Sequence, residues 1–213
     1  LLIRHQKGIL PNVTAAQHPR LITVEEYLAG ELHSPVKHEY TGGYVYAMAG
    51  ARNAHNTIAV AFVSQMYNVL RGRPCQPFNS DTKVRIRLAT HTRFYYPDCM
   101  VVCQPNNAQD TFQDRPVILA EVLSRDTRRI DEGEKRDAYL TVPELSAYLL
   151  IESTSPRVAV YHRTDSGFAL WQYDGLEATI PLDALNARLA LKELYERVDF
   201  SAAAQADQPI DDQ

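Results

Sequence analysis

Three residues of this chain stand in an order that suits metal-assisted hydrolysis. Asp98 follows Tyr96-Pro97 and opens an apolar stretch, Cys99-Met100-Val101-Val102-Cys103. Glu121 interrupts a second one, Val117-Ile118-Leu119-Ala120 before it and Val122-Leu123 after it, and Lys135 follows downstream. Apolar runs of this length read as strands of a sheet covered on both faces. Carboxylates rarely enter such strands unless their charge is compensated. A hard divalent cation, Mg²⁺ or Mn²⁺, would compensate two of them and carry waters able to act as nucleophiles. A nearby lysine would orient that water or offset charge on a phosphate. The plainer alternative has Asp98 capping a strand and Glu121 meeting an arginine at the sheet end. Two acids and a lysine in this order favour the metal.

The elements around these residues can be read from pattern. Thr23 and Glu26 form a capping box for a short helix through Tyr27 and Leu28. Segments 37–40 and 44–48 flank Thr41-Gly42-Gly43 as a β-hairpin. Ile58, Phe62, Met66 and Leu70 recur at helical spacing, and Arg71-Gly72-Arg73-Pro74 ends that helix. Strands are predicted over 83–88, 94–102 and 117–123, with a loop over 104–115. Asp131 and Glu134 read as a capping arrangement, which sets Lys135 in the first turn of a helix ending before Pro143. Three further strands, 146–152, 158–163 and 168–173, form a meander.

A chain of 213 residues with 45% hydrophobic content can bury one sizeable core. The net charge of −4 gives no global attraction to nucleic acid, so DNA binding would need a local basic surface. Arg71, Arg73, Lys83, Arg85, Arg87 and Arg93, opposed only by Asp81, either form one or are an ordinary solvated strand face. Of the three cysteines, Cys99 and Cys103 read as small buried hydrophobes without zinc-like spacing, and with no apolar leader or membrane segment visible a reducing cytoplasm is expected. Residues 1–20 read as an extended arm, 21–200 as one domain and 201–213 as a disordered acidic tail.

The motifs Tyr96-Pro97-Asp98, Glu121-Val122-Leu123-Ser124, Asp131-Glu132-Gly133-Glu134-Lys135 and Ala138-Tyr139 resemble the Uma2 family of restriction-endonuclease-like proteins. Upstream, His38-Glu39-Tyr40-Thr41-Gly42-Gly43-Tyr44-Val45-Tyr46 with His55-Asn56 is similar to that family's N-terminal signature. The resemblance covers roughly residues 20 to 200. It implies the PD-(D/E)XK nuclease fold, a mixed central β-sheet flanked by helices with a β-rich C-terminal half, and metal-dependent cleavage of phosphodiester bonds in DNA. In that pattern Asp98, Glu121 and the carbonyl of Val122 hold Mg²⁺ or Mn²⁺. The usual lysine would fall two residues after Glu121, where this chain has Leu123. The resemblance carries that role to Lys135 on the next helix.

Glu39 matches an additional acid that many nucleases of this fold bring from an N-terminal element, or is a strand-edge carboxylate on water. His55 either contacts a phosphate or substrate or bonds its own helix start. Lys83 either reaches the substrate or is an exposed lysine, and Asp131 reads as a helix cap rather than a ligand. The tyrosines are assigned to burial in strands rather than to base stacking. A homodimer paired through the edge of the C-terminal meander is expected by analogy with nucleases that cut two strands. The reading from another class, a non-catalytic module that keeps the fold for DNA binding or self-association, is supported by the missing lysine. It is opposed by the retention of both acids.

Overall fold

The computed structural model of the chain describes residues 20–201; all but the last residue of the expected arm, and the tail after Ser201, lie outside the described residues. The chain runs α1 (Val24–Glu31), β1 (His38–Thr41), β2 (Tyr44–Ala47), α2 (Asn53–Val69), β3 (Gln76–Asn79), β4 (Lys83–Arg87), β5 (Thr92–Tyr95) and β6 (Cys99–Val102). It continues with β7 (Phe112–Gln113), β8 (Pro116–Leu123), α3 (Arg128–Ile130), a π-helical turn (Asp131–Lys135) and α4 (Arg136–Tyr139). The C-terminal part holds β9 (Ala147–Glu152), β10 (Arg157–Thr164), β11 (Gly167–Asp174), β12 (Thr179–Leu182), β13 (Ala187–Ala190) and α5 (Leu191–Leu194).

Two sheets share the work. One has the order β2-β1-β5-β4-β7, the other β11-β10-β9-β8-β6-β3, and β12-β13 form a separate hairpin. The sheets are mixed: β8 runs parallel to β9 and β4 to β7, the other pairs being antiparallel. The strand predicted over 94–102 is in fact two strands in different sheets, broken at Tyr96-Pro97-Asp98. Pro97 has no N–H to give a ladder, so the chain can leave one sheet there and enter the other. That crossing is what sets Asp98 at the mouth of β6.

The six-stranded sheet is buried on both faces, and period-two alternation sorts its side chains. Val101, Ile118, Ala120, Val122, Leu149 and Ile151 face α2, whose Ile58, Phe62 and Met66 are fully buried against them together with the β12-β13 hairpin. Met100, Leu119, Leu123, Tyr148 and Leu150 face Ala138, Tyr139, Val84 and Ile86 on the other side. Asp98 and Glu121 are in phase with this second set. The connection from β8 to the parallel β9 must cross over a sheet face. The segment from α3 to α4 makes that crossing and so lies over the two acids.

The hairpin is held by a turn and by α1. Gly42 and Gly43 have φ of 56° and 102°, the double positive φ of a type I′ turn. A Cβ on Gly43 would stand 2.8 Å from that of Leu21. Gly43→Ala is therefore expected to lower stability by about 1–3 kcal/mol, read as a leftward shift of the urea unfolding midpoint. The capping box is present, Thr23 Oγ1 accepting from the Glu26 amide and Glu26 from the Thr23 amide. Tyr27 of α1 stacks on Tyr40 and donates to the carbonyl of His38.

One expectation fails in this frame, and one open alternative is decided. Cys103 is not a lone apolar filler: it forms a disulfide with Cys75, at the paired ends of β3 and β6. Only Cys99 is a free buried thiol among the described cysteines, and cysteine usage no longer argues for a reducing compartment. The basic residues of 73–93 do not form one open basic surface. Lys83 is buried, Arg85 and Arg87 meet Asp114, Arg93 meets Glu134, and Arg73 donates to the carbonyls of Leu185 and Asn186. Alternation puts Lys83, Arg85 and Arg87 on one face of β4 and Arg93, opposite Ile86, on the other, and each has a partner there.

Candidate active site

Asp98 and Glu121 are tied together through the backbone of adjacent strands. The Asp98 amide donates to Glu121 Oε2 at 3.1 Å, and the Val122 amide donates to Asp98 Oδ2 at 2.7 Å. The pairing of Cys99 with Ala120 sets this register. His55, in the first turn of α2, brings its Nε2 to 3.0 Å from Asp98 Oδ2. Burial would depress the imidazole, but the hydrogen bond and charge of Asp98 outweigh it and hold the His55 pKa above the ordinary value.

Glu121 is 2% exposed, and Tyr139 donates to its Oε1 at 2.8 Å. Lys135 Nζ lies 3.3 Å from the same oxygen, 3.0 Å from Glu39 Oε1 and 3.5 Å from Asp131 Oδ1. Glu39 is fixed in turn by the Tyr96 amide at 3.2 Å. Asp131, Lys135 and Tyr139 are spaced four apart, so one helical face carries all three toward the strand ends. The π-helical turn in that stretch is the kind of widened turn that recurs at functional sites.

Carboxylates here outnumber cations: Glu39, Glu121 and Asp131 surround the Lys135 ammonium, and Asp98 meets His55. Burial, and then the neighbouring acids against the pull of Lys135, push the Glu121 carboxyl well up, and Asp131 is raised for the same reasons. Burial alone would lower Lys135, but Glu121, Glu39 and Asp131 hold it well above its usual value, as the charged ammonium. Asp131 Oδ1 is buried without a hydrogen-bond partner. Such a buried excess of negative charge and hard oxygen donors fits a divalent cation.

Among the described residues no three His, Cys, Asp or Glu side chains form a ready-made metal cage. A magnesium-type site does not need one, since that ion is commonly held by one or two carboxylates, waters and substrate phosphate. Asp98 and Glu121, joined through the Asp98 and Val122 amides, could supply such carboxylates.

The excess charge gives a pH dependence. A carboxyl whose folded pKa lies above its unfolded value binds a proton that the unfolded chain has released, so stability falls as pH rises from the unfolded value upward. For Glu121 that fall starts near 4.5, and for Asp131 near 3.8. His55, raised above 6.5, adds a loss of the same sign as pH climbs through its folded value, while His162, lowered by burial, opposes it. The metal-free protein is expected to melt at a lower temperature at pH 8 than at pH 5.5, with a weaker slope in Glu121→Gln. Equal slopes in the two proteins would remove Glu121 as its source.

Asp98, Glu121, Lys135, Glu39 and His55 thus come together, with Val122 beside them. Asp131, read as a helix cap, is instead 2% exposed and in the cluster, because the helical run starts at Arg128 and carries it inward. For the same reason Lys135 sits beyond the first turn. Lys83 does not reach a substrate from the surface: it is 4% exposed and donates to Tyr96 Oη, which donates to Glu31. That chain ties α1 to the Tyr96-Pro97-Asp98 crossing. The role of Tyr139 on Glu121 was missed, though its four-residue spacing from Lys135 carried the signal.

Two sheets, a crossover helix and paired acids at a broken strand define the restriction-endonuclease-like fold. A solved structure described as "a putative nuclease belonging to DUF820" from Anabaena variabilis superimposes with a TM-score of 0.64 over 82% of this chain and 98% of its own, at 19% identity. The chain belongs to the Uma2 family, whose model, described as "Putative restriction endonuclease", matches residues 24–193. Two "uncharacterized" proteins of Synechocystis sp. are similar along their length. One is 34% identical over 189 residues, 87% of this chain and 97% of that protein; the other is 30% identical over 165 residues, 76% and 92%.

Proposed function

We propose that the chain is a metal-dependent endonuclease that hydrolyses phosphodiester bonds in DNA. The observation that carries this reading is Lys135 Nζ within 3.3 Å of Glu121, arriving from the crossover helix to take the place that Leu123 leaves empty of charge. Family membership and the likeness to a nuclease fold support the same reading.

Asp98 and Glu121, with the Val122 carbonyl, would hold Mg²⁺ or Mn²⁺. When bound, that ion supplies Lewis acidity at the phosphate and a water of lowered pKa. His55 orients Asp98, and Tyr139 orients Glu121, through the contacts described above. Lys135, held by Glu39 and Asp131, offers its ammonium to the attacking water or to a phosphate oxygen as charge builds there. The β11 edge, unpaired among the described residues and with Leu170 and Trp171 exposed, would serve pairing with a second copy. No helix among the described residues is long and apolar enough to cross a membrane.

Incubation with supercoiled plasmid tests the activity. Mg²⁺ or Mn²⁺ should convert it to relaxed circles and EDTA should prevent this. Intact plasmid under every metal tried would contradict it.

A further inference from the structure

Register on the hairpin places two exposed tyrosines on the face that carries Glu39. Directly opposed residues of an antiparallel pair project to the same face. Tyr46 is paired with Glu39 and Tyr44 with Thr41, so Tyr44, Tyr46 and Glu39 share one face. The opposite face, with Tyr40, Val45 and Phe94, is covered by α1. Tyr44 is 52% and Tyr46 56% exposed on β2, an edge strand of its sheet. Strand positions burying tyrosines cannot account for them, contrary to the expectation from sequence.

We infer that Tyr44 and Tyr46 form a stacking platform for unpaired nucleobases, so that the site acts on single-stranded or locally opened DNA. The inference deepens the nuclease reading and rests on it. Residues two apart on a strand are separated by about 6.6–6.8 Å, about twice the 3.4 Å step between bases in a strand. The spacing therefore suits one base held between the two rings. Glu39, across from Tyr46, contacts Lys135 at 3.0 Å, so a nucleotide on the platform adjoins the one whose phosphate meets the acids.

Charge favours the same occupant. The chain is net negative, and the basic residues of 73–93 are buried or held by Asp114, Glu134 and backbone carbonyls. A binder of intact duplex draws most of its affinity from phosphate contacts. Stacking adds affinity beyond phosphate contacts, but only to bases whose faces are open.

The test is fluorescence anisotropy with a labelled oligo-dT and a blunt duplex of equal length, with Ca²⁺ replacing Mg²⁺ to slow cleavage, alongside plasmid nicking in Mg²⁺. The wild type should bind the single strand more tightly. Tyr44→Ala with Tyr46→Ala should raise the dissociation constant at least about tenfold. Tyr44→Phe with Tyr46→Phe should bind as the wild type does, because the rings remain. Unchanged single-strand binding by the double alanine variant, with nicking intact, would overturn the platform and leave the nuclease reading standing. Absence of both binding and nicking in the wild type would bring down both.

Discussion

Lys135→Ala is expected to abolish metal-dependent cleavage and to lower the unfolding free energy of the metal-free protein by about 3–5 kcal/mol. Lys135 is 7% exposed and is the ammonium shared by Glu39, Glu121 and Asp131. Its removal leaves buried carboxylates with no counter-charge, the costly half of a broken buried ion pair. Two rescues identify that cause. Acidification should restore much of the loss, since protonating Glu121 and Asp131 removes the repulsion. Saturating Mn²⁺ should restore part of it by mass action on the folded state. Cleavage should stay down at least about a hundredfold even where the variant is folded. Chemical denaturation at pH 8 and pH 5.5, paired with nicking assays well below the melting temperature, separates the two effects. A variant that unfolds like the wild type at pH 8 would show that the acids are not held by this lysine.

Asp98→Asn should lose at least about a thousandfold in cleavage while folding normally. Asparagine keeps an oxygen to accept from the Val122 amide, which Asp98 binds at 2.7 Å, and removes one charge from a crowded cluster. Stability should therefore shift by less than about 1 kcal/mol, or rise. Asp98→Ala is the poorer test, because an orphaned Val122 N–H costs about 1–3 kcal/mol by itself. The denaturation midpoint and the nicking rate should thus move independently in Asp98→Asn. Cleavage at the wild-type rate would remove Asp98 from the chemistry.

What could be read from sequence was what lies in local pattern. The Thr23 capping box, the Gly42-Gly43 turn and the Ile58, Phe62, Met66 face of α2 are set within a few residues, and the structure has all three. Asp98 and Glu121 were visible because acids in apolar strands are costly, and Lys135 followed from the family pattern. The misreadings share a different origin. Asp131 resembles a helix cap in sequence, and only the start of the helical run at Arg128 turns it inward. The break at Pro97 was hidden inside a long apolar stretch, since two strands in two sheets have the same composition as one. Lys83 looks exposed until Tyr96 and Glu31 enclose it. Tyr44 and Tyr46 have the alternation of any half-buried strand, and which half is buried depends on α1 choosing the other face. The Cys75–Cys103 pairing depends on β3 lying beside β6, a contact that spacing alone does not reveal.

The central claim is that Asp98, Glu121 and the relocated Lys135 act as one metal-dependent hydrolytic centre. Its most direct test is the rate of supercoiled plasmid nicking in Mn²⁺ for the wild type, Asp98→Asn and Lys135→Ala, side by side and each confirmed folded by circular dichroism. Nicking by the wild type that EDTA stops and that both variants lack is the expected result. Nicking retained by either variant, or absent from the wild type while the protein is folded and loaded with metal, would contradict it.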